Sequence, residues 1–145
     1  MSSGSEPTIR FEATAVHTGK ADGPALILNE PLSIWGGLDL QTGIICDAGH
    51  PQCGLLVTGQ ILVMESGRGS SSSASSLAEA IRLGTAPAGI VLARKDPILA
   101  IGALAAAELY GHRLPVVVVK NADWPALLKA SHLNIDGACL QANIK

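Results

Sequence analysis

The sequence predicts an α/β domain with β/β/α layers, a β-rich first half lying beside a parallel βαβ second half. Three observations carry that expectation. Residues 8–64 are dominated by short apolar runs bounded by turn residues, as strands are. Further on, two continuous apolar runs, Ala88-Gly89-Ile90-Val91-Leu92-Ala93 and Leu114-Pro115-Val116-Val117-Val118-Val119, enclose a helical pattern. A third run, Gln60-Ile61-Leu62-Val63-Met64, leads through a Gly/Ser tract into another helical pattern. Strands alternating with helices at this spacing imply right-handed crossovers and strands buried on both faces.

The totals agree with a folded chain. Its 145 residues suit one domain, expected over 8–145 behind a disordered tail at 1–7 with neither the basic start nor the apolar stretch of a secretory signal. Apolar residues make up 48% and charged ones 15%, which excludes disorder, and 3% aromatic residues leave the core to Ala, Leu, Ile and Val. A net charge of −2 without a basic run points away from nucleic acid and from anionic membranes, and no apolar stretch is long enough to span a bilayer. Three cysteines without a C-x-x-C pair suit reduced thiols in the cytoplasm. The nearest approach to a ligand cluster, Cys46, Asp47, His50 and Cys53, matches no zinc spacing, so no metal site is expected in this chain.

In chain order, Thr8–His17 alternates as a half-buried strand and 18–24 has turn chemistry. A short strand, Ala25–Leu28, stops at Asn29-Glu30-Pro31. Gly36 and Gly37, after Trp35, suggest a close backbone approach to another segment or a ligand. Thr42–Cys46 and Leu55–Met64 read as strands, with a bend at Gly59. A helix is expected over Ser76–Leu83, from the capping-box spelling Ser76-Leu77-Ala78-Glu79 to Gly84 at its end. Another runs from Asp96 as N-cap and Pro97 in the first turn to Tyr110, closed by Gly111. Trp124–Ser131 reads as a short helix and 133–137 as a last strand or turn.

The chemistry gathers at Glu65–Ser76, between a buried strand and a helix. Here small residues admit a ligand to the backbone, beyond the carboxyl ends of the strands, and a helix N-terminus offers free N–H groups to an anion. A flexible linker is the competing reading of the serines, but apolar elements abut them directly. The tract lacks the lysine of a nucleotide P-loop and the G-x-S-x-G of many serine hydrolases. A serine here acts as a base only if its pKa is lowered, by the helix N-terminus and a neighbouring cation such as Arg68. Arg68 equally suits a carboxylate clamp or a plain surface position, and Trp35 a core anchor or a ligand contact.

Several blocks in order resemble the small subunit of the aconitase X family. They are Pro31-Leu32-Ser33-Ile34-Trp35-Gly36-Gly37-Leu38-Asp39, His50-Pro51, Ser66-Gly67-Arg68-Gly69-Ser70-Ser71-Ser72, Gly84-Thr85-Ala86-Pro87-Ala88, Asp96-Pro97-Ile98-Leu99-Ala100 and Ala107-Glu108-Leu109-Tyr110-Gly111. The resemblance covers about two-thirds of the chain, Ala25 to Lys120. It implies a swivelling β/β/α domain, aconitase swivel-domain-like, that closes as one half of a heterodimer over a large subunit holding an iron–sulfur cluster or iron. It gives Ser70 the role of catalytic base and Ser71 a substrate contact. Arg68, Gly69 and Ser72 would line the substrate, a small carboxylate, with Trp35, Gly36 and Gly37 at the interface or near it. Aconitase has an arginine after its serine pair where this chain has Ser72, so Arg68 or the large subunit would hold the carboxylate. The activity implied is a hydro-lyase, either cis-3-hydroxy-L-proline dehydratase or mevalonate 5-phosphate dehydratase; the Ala-rich, Lys-poor composition favours the former, bacterial type. A stand-alone domain that binds a small anion is the alternative from another class.

Overall fold

The computed structural model describes residues 6–145. Most of the expected tail, residues 1–5, lies outside the described residues. Glu6 and Pro7 are tied down instead: the Glu6 carboxylate accepts from Ser131 Oγ (2.6 Å) and the Pro7 carbonyl from the Ile144 N–H (2.9 Å).

The central layer is parallel. Strands β5 (Ile61–Met64), β6 (Gly89–Leu92) and β7 (Val116–Val119) pair in parallel, as does the end of β2 (Lys20–Ile27) with β5. The second layer is antiparallel and contains β1 (Thr8–His17), β8 (Ala130–Asp136) and β9 (Cys139–Ile144). Together the strands close in the order β1-β7-β6-β5-β2-β8-β9. Helices α2 (Ser72–Leu83) and α3 (Pro97–Tyr110) form the third layer. Successive residues of the parallel strands feed different cores. Leu62, Met64, Ile90, Leu92 and Val116 pack with the helices, while Ile61, Val63, Val91 and Val117 pack with Phe11, Leu133, Ile135 and Leu140. That double burial is why these strands read as continuous apolar runs.

The sequence expectation of mixed α/β layers with a parallel second half holds, but several boundaries move. The turn expected at 18–24 shrinks to Thr18-Gly19, because Lys20–Pro24 pair antiparallel with β8. Pro24 ends that ladder, and Ala25–Ile27 go on to pair with β5, so β2 joins both layers. Only Ile61–Met64 of the strand expected at 55–64 forms: Leu55 and Leu56 are exposed, and Leu56 makes a single bridge to Ile44. Ile34–Gly37 (α1) is a kinked helical turn, followed by a two-stranded ribbon of β3 (Leu38–Asp39) and β4 (Ile44–Ile45).

Helix α2 starts at Ser72, not Ser76. Ser76 is buried in the helix, and Glu79 pairs with Arg82 rather than closing a capping box. That exposed pair, with its hydrogen bond from Arg82, holds the Glu79 carboxyl below its ordinary value. Helix α3 matches its expected limits, from the Asp96 N-cap to Gly111 in the left-handed conformation. The helix expected at 124–131 is a 3-10 turn (Asn121–Asp123) and one α-turn, α4 (Trp124–Leu127), because Ala130 is already paired with Ile144. The last strand or turn is a full hairpin, β8 and β9, in which Leu140, Ala142 and Ile144 alternate inward.

Candidate active site

Two loops leave the carboxyl ends of the parallel strands and meet. Glu65–Ser71 connects β5 to α2, and Ala93–Asp96 connects β6 to α3. The Glu65 carbonyl accepts from the N–H groups of both Ala93 and Arg94 (3.0 Å each), which joins the loops at their base. Further along, the Arg94 guanidinium donates to Ser66 Oγ (3.2 Å), and the Asp96 carboxylate accepts from the Gly67 N–H (3.0 Å). The segment before α1 closes the other side: Leu32 bridges Gly67, and its carbonyl accepts from the Arg68 N–H (3.3 Å).

These segments enclose a recess of about 140 Å³. Leu32, Ile34 and Leu99 give it an apolar lining; Ser70, Ser73 and Asp96 give it polar atoms. Gly69 borders it with φ of +100°, and a Cβ there would lie 2.6 Å from Ser33 Oγ, so the turn needs glycine for both conformation and space.

Ser70 lies one residue before the N-cap position, Ser71, whose own side chain makes no cap bond, and supplies the capping oxygen of α2. Its Oγ accepts from the Ser72 N–H (3.0 Å) and its carbonyl from the Ser73 N–H (2.9 Å). The side-chain oxygen therefore receives one of the free amides of the helix N-terminus, where negative charge is stabilised. Ser71 and Ser72 are exposed on the first turn. Arg68 is exposed at the mouth, and among the described residues no ion pair engages it. So Arg68, Gly69, Ser70, Ser71 and Ser72 do come together on one turn.

Trp35 is 56% exposed, which overturns its reading as a core anchor. Its N–H donates to Ser73 Oγ (3.1 Å) and its carbonyl accepts from Ser33 Oγ (2.7 Å), so the turn that projects it is fastened to α2. Gly36 is exposed with φ of +82°, and Gly37 is buried against Leu32.

Two residues of the site were not singled out from the sequence. Ser73, buried in the first turn of α2, is one of four consecutive serines; only the helical phase shared with Ser76, Leu77 and Ala80 marks its inward face. Asp96 was legible as a cap, but its bond to Gly67 spans 29 residues and leaves no local signal.

The Cys46–Cys53 loop does not make a ligand set. His50 uses both ring nitrogens on the backbone, one donating to the Glu30 carbonyl (3.0 Å) and the other accepting from the Gln52 N–H (3.0 Å). Among the described residues no group of three or more His, Cys, Asp or Glu gathers to hold an ion. All three cysteines are free thiols. Among the described residues, no helix is long and apolar enough to cross a membrane.

Comparison with known proteins places this arrangement in a family. Residues 10–142 match the family model described as the aconitase X swivel domain. The cis-3-hydroxy-L-proline dehydratase of Hypocrea jecorina is 38% identical over 127 residues, which cover 88% of this chain and 21% of that protein. The chain thus spans about a fifth of that relative's length. The phosphomevalonate dehydratase small subunit of Methanothermobacter thermautotrophicus is 33% identical over 123 residues, covering 85% of this chain and 89% of that one. Among solved structures, the holo-form crystal structure of Thermococcus kodakaraensis aconitase X superposes with a TM-score of 0.79 at 26% identity, over 94% of this chain and 98% of the matched chain. With its fold and its glycine–serine turn both accounted for, the chain belongs to the aconitase X swivel-domain family.

Proposed function

We propose that this chain is the small, swivelling subunit of a cytoplasmic aconitase-X-type hydro-lyase. In this reading the single domain 8–145 supplies Ser70 as catalytic base to a larger iron-bearing subunit, with which it forms a heterodimer, and the substrate is cis-3-hydroxy-L-proline. The observation that carries it is the Ser70 oxygen at the α2 N-terminus, hydrogen-bonded by the Ser72 N–H and open to an incoming molecule.

Dehydration of a β-hydroxy acid removes the proton α to the carboxylate and expels hydroxide from the neighbouring carbon. The C–H electron pair becomes the new double bond, and the C–O pair leaves with the oxygen. Ser70 takes the proton. The Ser72 N–H and the helix N-terminus favour the ionised oxygen before that transfer, and Arg68 at the mouth adds positive charge. Arg68 also suits the substrate carboxylate, with the Gly69 to Ser72 stretch offering backbone and hydroxyl groups to it. In this reading the iron is held by the larger subunit; among this chain's described residues no group of three or more His, Cys, Asp or Glu gathers to hold an ion.

Exposed apolar surface supports a partner. Trp35 stands out beside the recess, and Leu104 and Leu109 are more than half exposed on α3. A groove of about 510 Å³ runs between α2 and α3, bordered by Leu40, Ala78, Ala105 and Leu109. If Trp35 is an interface anchor, Trp35→Ala should weaken assembly about tenfold, the loss of a little over 1 kcal/mol usual for a buried interface tryptophan. Titration calorimetry against the larger subunit checks this, and an unchanged Kd removes Trp35 from the interface.

A second substrate has its own support. Relatives of this chain's length are named phosphomevalonate dehydratase small subunits, which favours mevalonate 5-phosphate. The deciding experiment co-purifies the chain with the larger subunit and assays dehydration of both compounds. Turnover by the complex alone supports the half-site reading and identifies the substrate. Failure to assemble, with a small anion bound by the isolated chain, would favour a stand-alone binding domain.

A further inference from the structure

Asp96 does more than a helix cap requires. Its Oδ1 accepts from the N–H groups of Ile98 (3.0 Å) and Leu99 (3.3 Å), which is enough to cap α3. Its Oδ2 is turned the other way and accepts from the Gly67 N–H (3.0 Å), the start of the turn that carries Ser70. The two loops are built for this contact. A Cβ on Gly67 would collide with the Asp96 carboxylate, so only glycine lets the backbone lie against it.

The Gly67–Ser70 turn has little stiffness of its own. Two of its four residues are glycine, the most permissive residue, and Gly69 sits at positive φ. Its placement therefore depends on what holds it from outside. On one side the Leu32 segment before α1 does so through the Arg68 N–H; on the other, Asp96 does so through the Gly67 N–H. Helix α3 is anchored by a buried face of Leu99, Gly102, Ala103 and Ala106, so it is a rigid mount for that second tie.

We propose that Asp96 is a positioning residue for the reaction: its carboxylate, fixed at the start of α3, holds the Gly67–Ser70 turn where the Ser70 oxygen reaches the substrate proton. The inference rests on Ser70 being the base. Displacing a reacting group by about 1 Å costs on the order of 100-fold, so releasing Gly67 should lower kcat by about 10- to 100-fold. Arg68 and Gly69 ride on the same turn, so KM rises as well, while the amide exchange of Gly67 reports the tie itself.

The test uses the assembled enzyme and three variants of this chain. Asp96→Ser keeps a good helix cap but cannot also reach Gly67; Asp96→Asn keeps Oδ1 and puts a donor where Gly67 needs an acceptor. Ser70→Ala is measured in parallel. The expected result is a fall in kcat for both Asp96 variants, accompanied by a rise in KM from the displaced Arg68 and Gly69. Amide exchange followed by NMR on the chain should show Gly67 exchanging about tenfold faster, the loss of one hydrogen bond, while Ile98 and Leu99 stay protected. A wild-type kcat in Asp96→Ser, with Ser70→Ala inactive, overturns this inference alone. So does a rate loss with Gly67 still protected, or one in which all of α3 loses protection. If Ser70→Ala keeps its rate, the base assignment falls and this inference falls with it.

Discussion

Ser70→Ala is expected to lower the dehydration rate of the assembled enzyme by about 10²–10⁴-fold, the usual contribution of a positioned general base. The competing role for Ser70 is structural, because its Oγ caps α2 through the Ser72 N–H. The two roles predict different losses. Removing a serine cap costs about 0.5–2 kcal/mol of stability, whereas glycine at the same place costs only a few tenths. Ser70→Gly therefore provides the separation: it should be as inactive as Ser70→Ala but melt closer to wild type. Activity in the two variants that tracked their melting temperatures would assign Ser70 to the cap. Loss of activity in both, with assembly intact, would assign it to the chemistry.

The parts of this molecule that were legible in the sequence are those specified by neighbours in the chain. Helix α3 is the clearest example. Asp96 accepts from Ile98 and Leu99, Pro97 needs no amide partner, and Gly111 adopts the left-handed conformation that ends the helix. The parallel strands were equally plain, since burial on both faces leaves no polar position in Ile61–Met64 or Val116–Val119. Helix α2 began four residues earlier than its capping-box spelling suggested. The capping oxygen comes from Ser70, one residue before the N-cap position, in a tract where every serine has the same local preference, and the long-range contacts of Ser73 and Gly67 fix which faces inward. Lys20–Pro24 misled for a related reason: Asp22, Gly23 and Pro24 have turn chemistry, yet pairing with β8 makes them a strand. The hairpin partner β9 carries a signal of its own, the alternation of Leu140, Ala142 and Ile144 after Gly137, which lies beyond the last strand or turn expected at 133–137. In the site, the clustering of Arg68 to Ser72 follows from adjacency, while the Asp96 and Trp35 contacts arise only when the loops meet.

Gly102→Ala is expected to destabilise the chain and slow the enzyme, although the same change on an exposed helix would do the opposite. In a free helix, alanine is favoured over glycine by about 1 kcal/mol. Here, however, Gly102 is buried where α3 crosses α2, and a Cβ would lie 2.6 Å from the Ala74 carbonyl oxygen and 3.2 Å from Leu77 Cβ. The nearest of these atoms is backbone, so no rotamer change relieves the contact and the helices must separate. Overpacking of this kind costs about 1–3 kcal/mol, which exceeds the propensity gain over most of that range and leaves a net loss of up to about 2 kcal/mol. For a domain of this size that lowers Tm by up to roughly 8 °C. Ala74 lies in the first turn of α2, next to Ser73 and four residues from Ser70, so the displacement is delivered to the site. Ala107→Gly provides the comparison, since it gives up about 1 kcal/mol of helix propensity near the far end of α3. A fall in Tm with kcat preserved in Ala107→Gly, against a fall in both for Gly102→Ala, would mean that the α2–α3 contact sets the position of the serine turn. A higher Tm in Gly102→Ala would mean that the helix pair has slack, and that the turn is held by its own loop contacts instead.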